Sequence, residues 1–378
     1  MEVKKHINSK KIIILMALMI GFVFLLIKCN HIEKVSLIST EGQSYEKAVV
    51  TKITKDNLAE DGNRYGNQEL EVEIKSGSLK GENLEAINPN GTLFGAECEV
   101  GTSVIVIVSS SEDTNVVTVY SKDRTNAIYM FILIFTAIVC IIGGKKGIKA
   151  ILSLAFTFVC IVYIMFPLVY KGNSPVLITI LICVVTTIVT IGMLGGVSKK
   201  TVSAIIGTTF GVVISGISAL AFGEFAGITG YNVSDIETLN YVAQNTSIKI
   251  GQLLFSGIII ASLGAVMDVG MSISSTICEI KETNPGMQAK QLFISGIHVG
   301  RDMMGTMTNT LILAFVGSSL SSLMTNYAYD LSYNQLINSY SIGIEIMQGL
   351  SGSLGVVLTV PFTAAISSLL ITGKRKEK

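Results

Sequence analysis

The sequence predicts an α-helical polytopic membrane protein with about eight transmembrane helices and a small extracytoplasmic β-rich domain between the first and second helices. Hydrophobic residues make up 49% of the chain and charged residues only 15%, a balance unusual for a soluble protein. The mean hydropathy is +0.60. Apolar runs recur after residue 125, each near the ~20 residues that a bilayer core about 30 Å thick requires.

The apolar runs give the elements of the membrane part in order. The predicted spans are residues 11–27, 127–142, 148–170, 176–197, 202–222, 250–268, 308–324 and 349–372. The first span follows Lys4, Lys5, Lys10 and Lys11 and lacks a small-residue cleavage site, so an uncleaved signal anchor is favoured over a cleaved signal peptide. Residues 223–249 are too polar to span and predict an external loop or an interfacial helix.

Residues 31–125 differ in kind from the rest of the chain. They contain short β-rich runs at 47–53, 69–76, 104–109 and 116–120, separated by turn residues. The run at 69–75 alternates polar and apolar residues, which is typical of a strand with one buried face. We therefore predict a small antiparallel barrel or sandwich. The segment carries 9 Lys and Arg against 16 Asp and Glu, which indicates a charged external face or, alternatively, capture of a cation or basic partner.

The positions of Lys and Arg predict the orientation, because cytoplasmic connections are enriched in them. With the N-terminus inside, the inner connections hold Lys145, Lys146, Lys149, Lys199, Lys200, Lys281, Lys290, Lys374, Arg375 and Lys376. The outer connections after the β-rich domain hold only Lys171 and Lys249. The predicted domains are thus a cytoplasmic N-terminus with its anchor (1–30), the external domain (31–125), a membrane domain of about seven helices (126–372) and a basic cytoplasmic tail (373–378).

Two sets of polar residues stand out, because ionisable groups within a bilayer are costly and are functional-site candidates by default. The residues of the first set are spaced so that they share one face of a helix: Asp268, Ser272, Ser275 and Glu279. The second set repeats the same spacing with His298, Asp302, Gly305 and Asn309, and Arg301 and Thr306 lie beside them. We interpret the two stripes as a translocation or ligand path for a polar solute or ion. Asp268 or Glu279 is expected to pair with Arg301 across it.

A structural interpretation of these residues stays open. Glu279 and Arg301 fall near the predicted inner interface, where charged side chains meet water, and the neighbours Arg301 and Asp302 would then only fix helix docking. His298 by itself is more typical of a structural histidine.

Small residues predict close helix packing in the fourth and fifth spans. Gly192 and Gly196 form one GxxxG pattern and Gly207 and Gly211 another, a spacing that lets helix backbones approach. Pro361 is expected to kink the last span.

Signatures of enzymes and cofactors are absent from the sequence. It has no GxSxG, HExxH, P-loop or post-strand GxGxxG motif, and its three histidines are far apart. The six cysteines are scattered singly and predict packing residues. We therefore expect no enzymatic activity, no cofactor, no metal and no nucleic-acid partner, with intramembrane proteolysis as a weak alternative.

Three segments of the membrane part resemble the YibE/YibF-like family of bacterial multi-pass membrane proteins. They are residues 195–208 (GGVSKKTVSAIIGT), residues 264–279 with GAVMD and SISST, and residues 300–311 (GRDMMGTMTNTL). The resemblance covers the chain from about residue 120 onward and implies a bacterial plasma-membrane protein, with no settled activity.

The functional hypothesis is a transporter or permease of a small polar solute or ion, with both termini cytoplasmic. The alternative is a membrane-anchored scaffold or sensor whose external domain binds a partner. Expected partners are the lipid bilayer, the polar solute or cation, and a second copy of the chain or another membrane protein.

Overall fold

The structure is a computed structural model that describes residues 9–38, 42–61, 63–89, 95–111, 114–233 and 235–372. The chain falls into two compact units, one drawn from Met1–Val35 and Ile142–Lys378 and the other from Ser36–Ile141. The predicted basic tail at 373–378 and the lysines at positions 4 and 5 lie outside the described residues.

The second unit contains a closed barrel of five strands. They are β1 (Gln43–Lys55), β2 (Gln68–Ile74), β3 (Asn83–Asn88), β4 (Ser103–Ser111) and β5 (Thr114–Lys122), in the order β1-β2-β3-β5-β4. All pairs are antiparallel except β3 with β5, which is parallel. This is the Greek-key arrangement of an OB-fold. Four strands follow the predicted runs; β3 is missed because its polar ends and alanine give it little β propensity.

The barrel has its own core. Along β2 the buried Leu70, Val72 and Ile74 alternate with more exposed residues, as the predicted period of two requires. Two polar side chains are buried with them and satisfy one another: the Asn88 amide nitrogen donates to Gln68 Oε1 (2.9 Å), and Gln68 Nε2 donates to the Cys98 carbonyl (3.2 Å). These bonds tie the end of β3 to the start of β2.

The remaining elements are helices. They are α1 (Ser9–Asn30), α2 (Thr125–Cys160), α3 (Phe166–Tyr170), α4 (Pro175–Gly195), α5 (Lys199–Ala226), α6 (Ile236–Asn245), α7 (Leu253–Thr283), α8 (Ala289–Ser318), α9 (Leu320–Ala328), α10 (Tyr333–Ile337) and α11 (Tyr340–Thr372). A π turn at Ile161–Met165 joins α2 to α3, and a 3₁₀ turn at Ile250–Gln252 precedes α7. The short helix α6 lies in the polar segment for which a loop or interfacial helix was predicted.

The number of candidate spans differs from the predicted eight. Among the described residues five helices are long and apolar enough to cross a membrane, or six if α8 and α9, bent by 62° at their junction, form one span. Thr125–Tyr170 counts as one helical run of 46 residues. It is interrupted at Gly144 (φ 52°, ψ −131°), and the predicted spans 127–142 and 148–170 lie on either side of that break. In α1 the segment Ile20–Asn30 is apolar but shorter than the helices that qualify as candidate spans.

Several helices also extend beyond the predicted spans. The span predicted at 308–324 belongs to a helix that begins at Ala289, and the one predicted at 250–268 continues to Thr283. Polar residues lower the hydropathy of these segments without interrupting the backbone hydrogen bonds. The length of the apolar run therefore underestimates the length of the helix. Helix α11 runs unbroken through Pro361 from Tyr340.

The first unit is held together by α5, α7, α8 and α11. Their shared core includes Val212, Val266, Ile273, Ile277 and Val360. Helix α1 packs on the end of α2, with the Phe22 and Phe156 ring centroids 5.2 Å apart, and Asn30 donates to the Tyr163 carbonyl (2.8 Å).

Four of the six cysteines are buried, namely Cys29, Cys98, Cys160 and Cys183. The other two, Cys140 and Cys278, are partly exposed.

Candidate functional site

The first polar stripe lies on the outward face of α7. The opposite face of this helix is buried in the bundle through residues such as Val266, Val269 and Ile273. Asp268 and Glu279 are exposed. Ser272 and Ser275, between them along the helix, are partly exposed. The predicted alignment of these four residues on one helical face is therefore present, and that face points away from the packed helices.

The second stripe has the same relation to α8. This helix packs through Gly296 and Gly300: a Cβ on Gly300 would touch Val360 of α11 and, at 3.2 Å, Ile273 of α7. The polar residues are on the other side and are all exposed: His298, Arg301, Asp302, Thr306 and Asn309. Helix α8 thus presents a polar face to whatever surrounds the bundle.

The helix bounds place the centre of both stripes far from the helix ends. Asp268 lies midway between Leu253 and Thr283, about 22 Å from either end of α7 at about 1.5 Å per residue. Arg301 lies about 18 Å beyond the start of α8 on the same scale. The expectation that Arg301 lies near an interface came from a span predicted to begin at residue 308, whereas α8 begins at Ala289; its depth in the bilayer stays a prediction. Glu279, one turn before the end of α7, keeps its place near a helix end.

The two stripes lie at the same height in the bundle. Helices α7 and α8 run antiparallel, since Gly296 meets Ile277 and Gly300 meets Ile273. A step of one residue toward the C-terminus of α8 therefore corresponds to a step of one residue toward the N-terminus of α7. When this register is continued along both helices, Asp268 lies at the same height as Gly305.

The predicted pairing between the stripes is not formed. Within the described segments neither Asp268 nor Glu279 makes an ion pair with Arg301, and the ion pairs that do form lie in the barrel. The reason is that α7 and α8 pack through their small and apolar faces, which turns both polar faces outward. Thr306 donates only to the Met303 carbonyl of its own helix (2.9 Å).

The glycine pairs behave differently from one another. A Cβ on Gly207 would overlap the Thr363 hydroxyl of α11, and one on Gly211 would overlap the Thr359 hydroxyl. The contact expected at Gly192 and Gly196 is not formed: a Cβ at either position would meet nothing within 4 Å. Gly196 has φ 68° and ends α4, so its role is a turn that favours glycine rather than helix packing.

Buried hydroxyl groups without partners were not foreseen from the sequence. Among the described side chains, those of the bundle are Thr187, Thr208, Thr308, Ser353, Thr363 and Ser367. The four-residue spacing of Thr359, Thr363 and Ser367 in an otherwise apolar run was the available signal. One carboxylate oxygen of Glu345 is also buried without a partner. It was missed because the predicted last span began after it.

The barrel carries a separate set of charged contacts. Hydrogen bonds from Thr125, helped by the Lys47 ammonium 3.1 Å from Asp123 Oδ2, lower the pKa of Asp123 to about 2. Burial raises the pKa of the Cys98 thiol to about 11. Among the described residues no three His, Cys, Asp or Glu side chains are grouped so as to hold a metal ion.

Comparison with known proteins gives one match. A family model described as YibE/F-like protein matches residues 131–373, which include both polar stripes. No curated protein and no solved structure matches the chain. The match and the long apolar helices are those of a membrane-associated protein.

Proposed function

The chain belongs to the YibE/F-like protein family, and on that basis we propose that it is a multi-pass protein of the bacterial plasma membrane that moves a small polar solute or ion. The observation that carries the proposal is the polar surface of α7 and α8. Asp268, Arg301 and Asp302 lie far from the helix ends and have no ion-pair partner among the described residues. Charged groups at such depth require water, protein or a polar ligand beside them.

The chemistry of this surface favours a cation or a hydrogen-bonding solute. Two carboxylates, Asp268 on α7 and Asp302 on α8, lie at nearly the same height. The Ser272 and Thr306 hydroxyls follow one turn later on the same helices, and the Asn309 amide two turns after Asp302. These groups offer oxygen ligands that can replace water around a cation one at a time. Neither an enzymatic step nor a cofactor is needed for that activity.

The distribution of basic residues supports the proposed orientation. Lys200 at the start of α5 lies beside Ser274 near the end of α7, whose hydroxyl donates to the Lys200 carbonyl (2.7 Å). Lys281 and Lys290 flank the junction of α7 and α8 at that end. Cytoplasmic connections are rich in Lys and Arg, so we assign this end of the bundle to the cytoplasm and, with it, both termini.

Ion flux in liposomes tests the proposal. The purified chain is reconstituted and proton or monovalent-cation flux is measured under an imposed gradient, together with Asp268→Asn and Asp302→Asn. We expect flux in the wild type and its loss in both variants, because the amide keeps the shape and removes the charge. Glu237→Gln, an exposed carboxylate of α6, is the matched control. Absence of flux under any gradient, or equal flux in all variants, would refute the proposal.

The second candidate, a scaffold or sensor, is favoured by the barrel. The unit Ser36–Ile141 has a core of its own, which binding modules need. Carrying residues 36–124 on an unrelated membrane anchor would test it: restoration of the cellular role in a deletion strain by this fusion alone would establish the scaffold and rule out the transporter.

A further inference from the structure

The outward face of α8 is not covered by the described helices of its own unit. His298, Arg301, Asp302 and Asn309 are exposed there, and the helix makes its contacts with α7 and α11 through its other side. An arginine and an aspartate facing hydrocarbon would be strongly unfavourable, so a membrane-embedded α8 needs a protein or water neighbour on this face.

A glycine at the centre of the face leaves room for a helix as this neighbour. A Cβ on Gly305 would meet nothing within 4 Å, so the packing of this chain does not require glycine there. Glycine costs about 1 kcal/mol relative to alanine in a helix interior. Small residues on membrane helices allow another backbone to approach closely.

The arrangement of charges on α8 is self-complementary. At about 100° per residue, Gly305 lies within about 20° of the line through His298, while Arg301 projects about 60° to one side and Asp302 about 40° to the other. In two parallel helices related by a two-fold axis, the side of the face that carries Arg301 in one helix lies against the side that carries Asp302 in the other. The flanking charges of parallel coiled coils are arranged in the same way. Each Arg301 then faces the Asp302 of the second copy.

The first part of α2, another apolar helix of the chain, offers no such complement. The first part of α2, between Thr125 and Gly144, contains no Asp, Glu, Lys, Arg or His. It could cover the face only by burying the charges of Arg301 and Asp302 against hydrocarbon side chains, which is costly.

We propose that the His298, Arg301, Asp302 and Gly305 face of α8 binds the same face of a second copy of this chain, making a parallel homodimer in the membrane. The proposal goes beyond the proposed function and holds whether or not the chain transports a solute. If it does, the polar surface is complete only in the dimer.

Charge reversal tests the dimer in the full chain. Arg301→Glu leaves two acidic residues on the face and Asp302→Lys leaves two basic ones, so each variant alone should dimerise at least tenfold more weakly than wild type. The two variants mixed, and the double variant Arg301→Glu with Asp302→Lys, should dimerise again, which separates lost pairing from misfolding. Lys290→Glu, at the start of the same helix, is the control and should dimerise as wild type does.

The measurement is single-molecule subunit counting of fluorescently tagged protein in large liposomes at low protein-to-lipid ratio. Dimers that are lost in each reversed variant and recovered in the mixture would support the interface. A monomeric wild type, dimers insensitive to both reversals, or no recovery on mixing would overturn it.

Discussion

The glycine contacts between α5 and α11 allow us to predict both the direction and the magnitude of the loss of stability when alanine replaces glycine. A methyl group added at Gly211 overlaps the Thr359 hydroxyl, lies 2.6 Å from a Val266 methyl and lies 3.0 Å from the Gly355 carbonyl oxygen. The last of these atoms is backbone and cannot rotate away. Overpacking of this kind costs about 1–3 kcal/mol, so we expect Gly211→Ala to destabilise the bundle by about 2 kcal/mol.

The cost of alanine at two further glycines can be compared with the cost at Gly211 in the same protein. At Gly207 the three atoms nearest to the methyl group belong to one residue, Thr363, rather than to three residues as at Gly211. The Thr363 hydroxyl and methyl can rotate away and its Cβ, at 2.9 Å, must shift slightly, so Gly207→Ala should cost less, about 1 kcal/mol. At Gly192 nothing lies within 4 Å. There the higher helix propensity of alanine should leave stability unchanged or raise it by up to about 1 kcal/mol.

Thermal unfolding of the three variants in one detergent, followed by circular dichroism, checks this order. Gly211→Ala should lower the Tm on the order of 5 °C, Gly207→Ala by about half as much, and Gly192→Ala not at all. If Gly211→Ala unfolded at the wild-type temperature, or if Gly192→Ala were equally harmful, the close approach of α5 and α11 would be refuted.

Two predictions concern the barrel as a fragment of residues 36–127, which keeps the Thr125 groups that hydrogen-bond to Asp123. Because the pKa of Asp123 is lowered from 3.8 to about 2, the stability that its ionised form supplies is present above about pH 4 and lost as the pH falls toward 2. After allowance for solvent screening the loss is about 1 kcal/mol, and urea titrations should show it in the wild type but not in Asp123→Asn. Cys98, the one cysteine of this fragment, is fully buried with its pKa raised to about 11, so thiol reagents should modify it only as fast as the barrel opens. Labelling at the rate of an exposed thiol would contradict this burial.

The sequence predicted the two kinds of structure and most of the strands, because burial leaves a periodic pattern. Alternation along 69–75 marks β2 directly, and the runs after residue 125 mark the apolar helices. Strand β3 was missed because its inward positions are Leu84, Ala86 and Asn88, of which only the first is a large apolar residue, so the alternation of burial leaves little trace in the sequence.

The polar stripes show what periodicity can and cannot determine. It placed Asp268, Ser272 and Glu279 on one face of a helix, where the structure has them. It could not say which neighbour that face meets, since this depends on contacts between distant parts of the chain. The pairing of Arg301 with α7 was therefore wrong: Gly296 and Gly300, rather than the charged residues, form the contact.

The contact between α5 and α11 repeats every four residues on both sides. Ser203, Gly207, Gly211 and Ser215 follow one another along α5, and Gly355, Thr359, Thr363 and Ser367 along α11. Sliding one helix past the other by four residues, about 6 Å, would again set small residues against small residues. The hydrogen bond from Ser215 to the Ser351 carbonyl (3.0 Å) is specific to the present register. That bond and the seating of Val360 against Gly300 of α8 hold α11 in its present register, so a four-residue displacement would preserve the small-residue contact with α5 but would require α8 to repack.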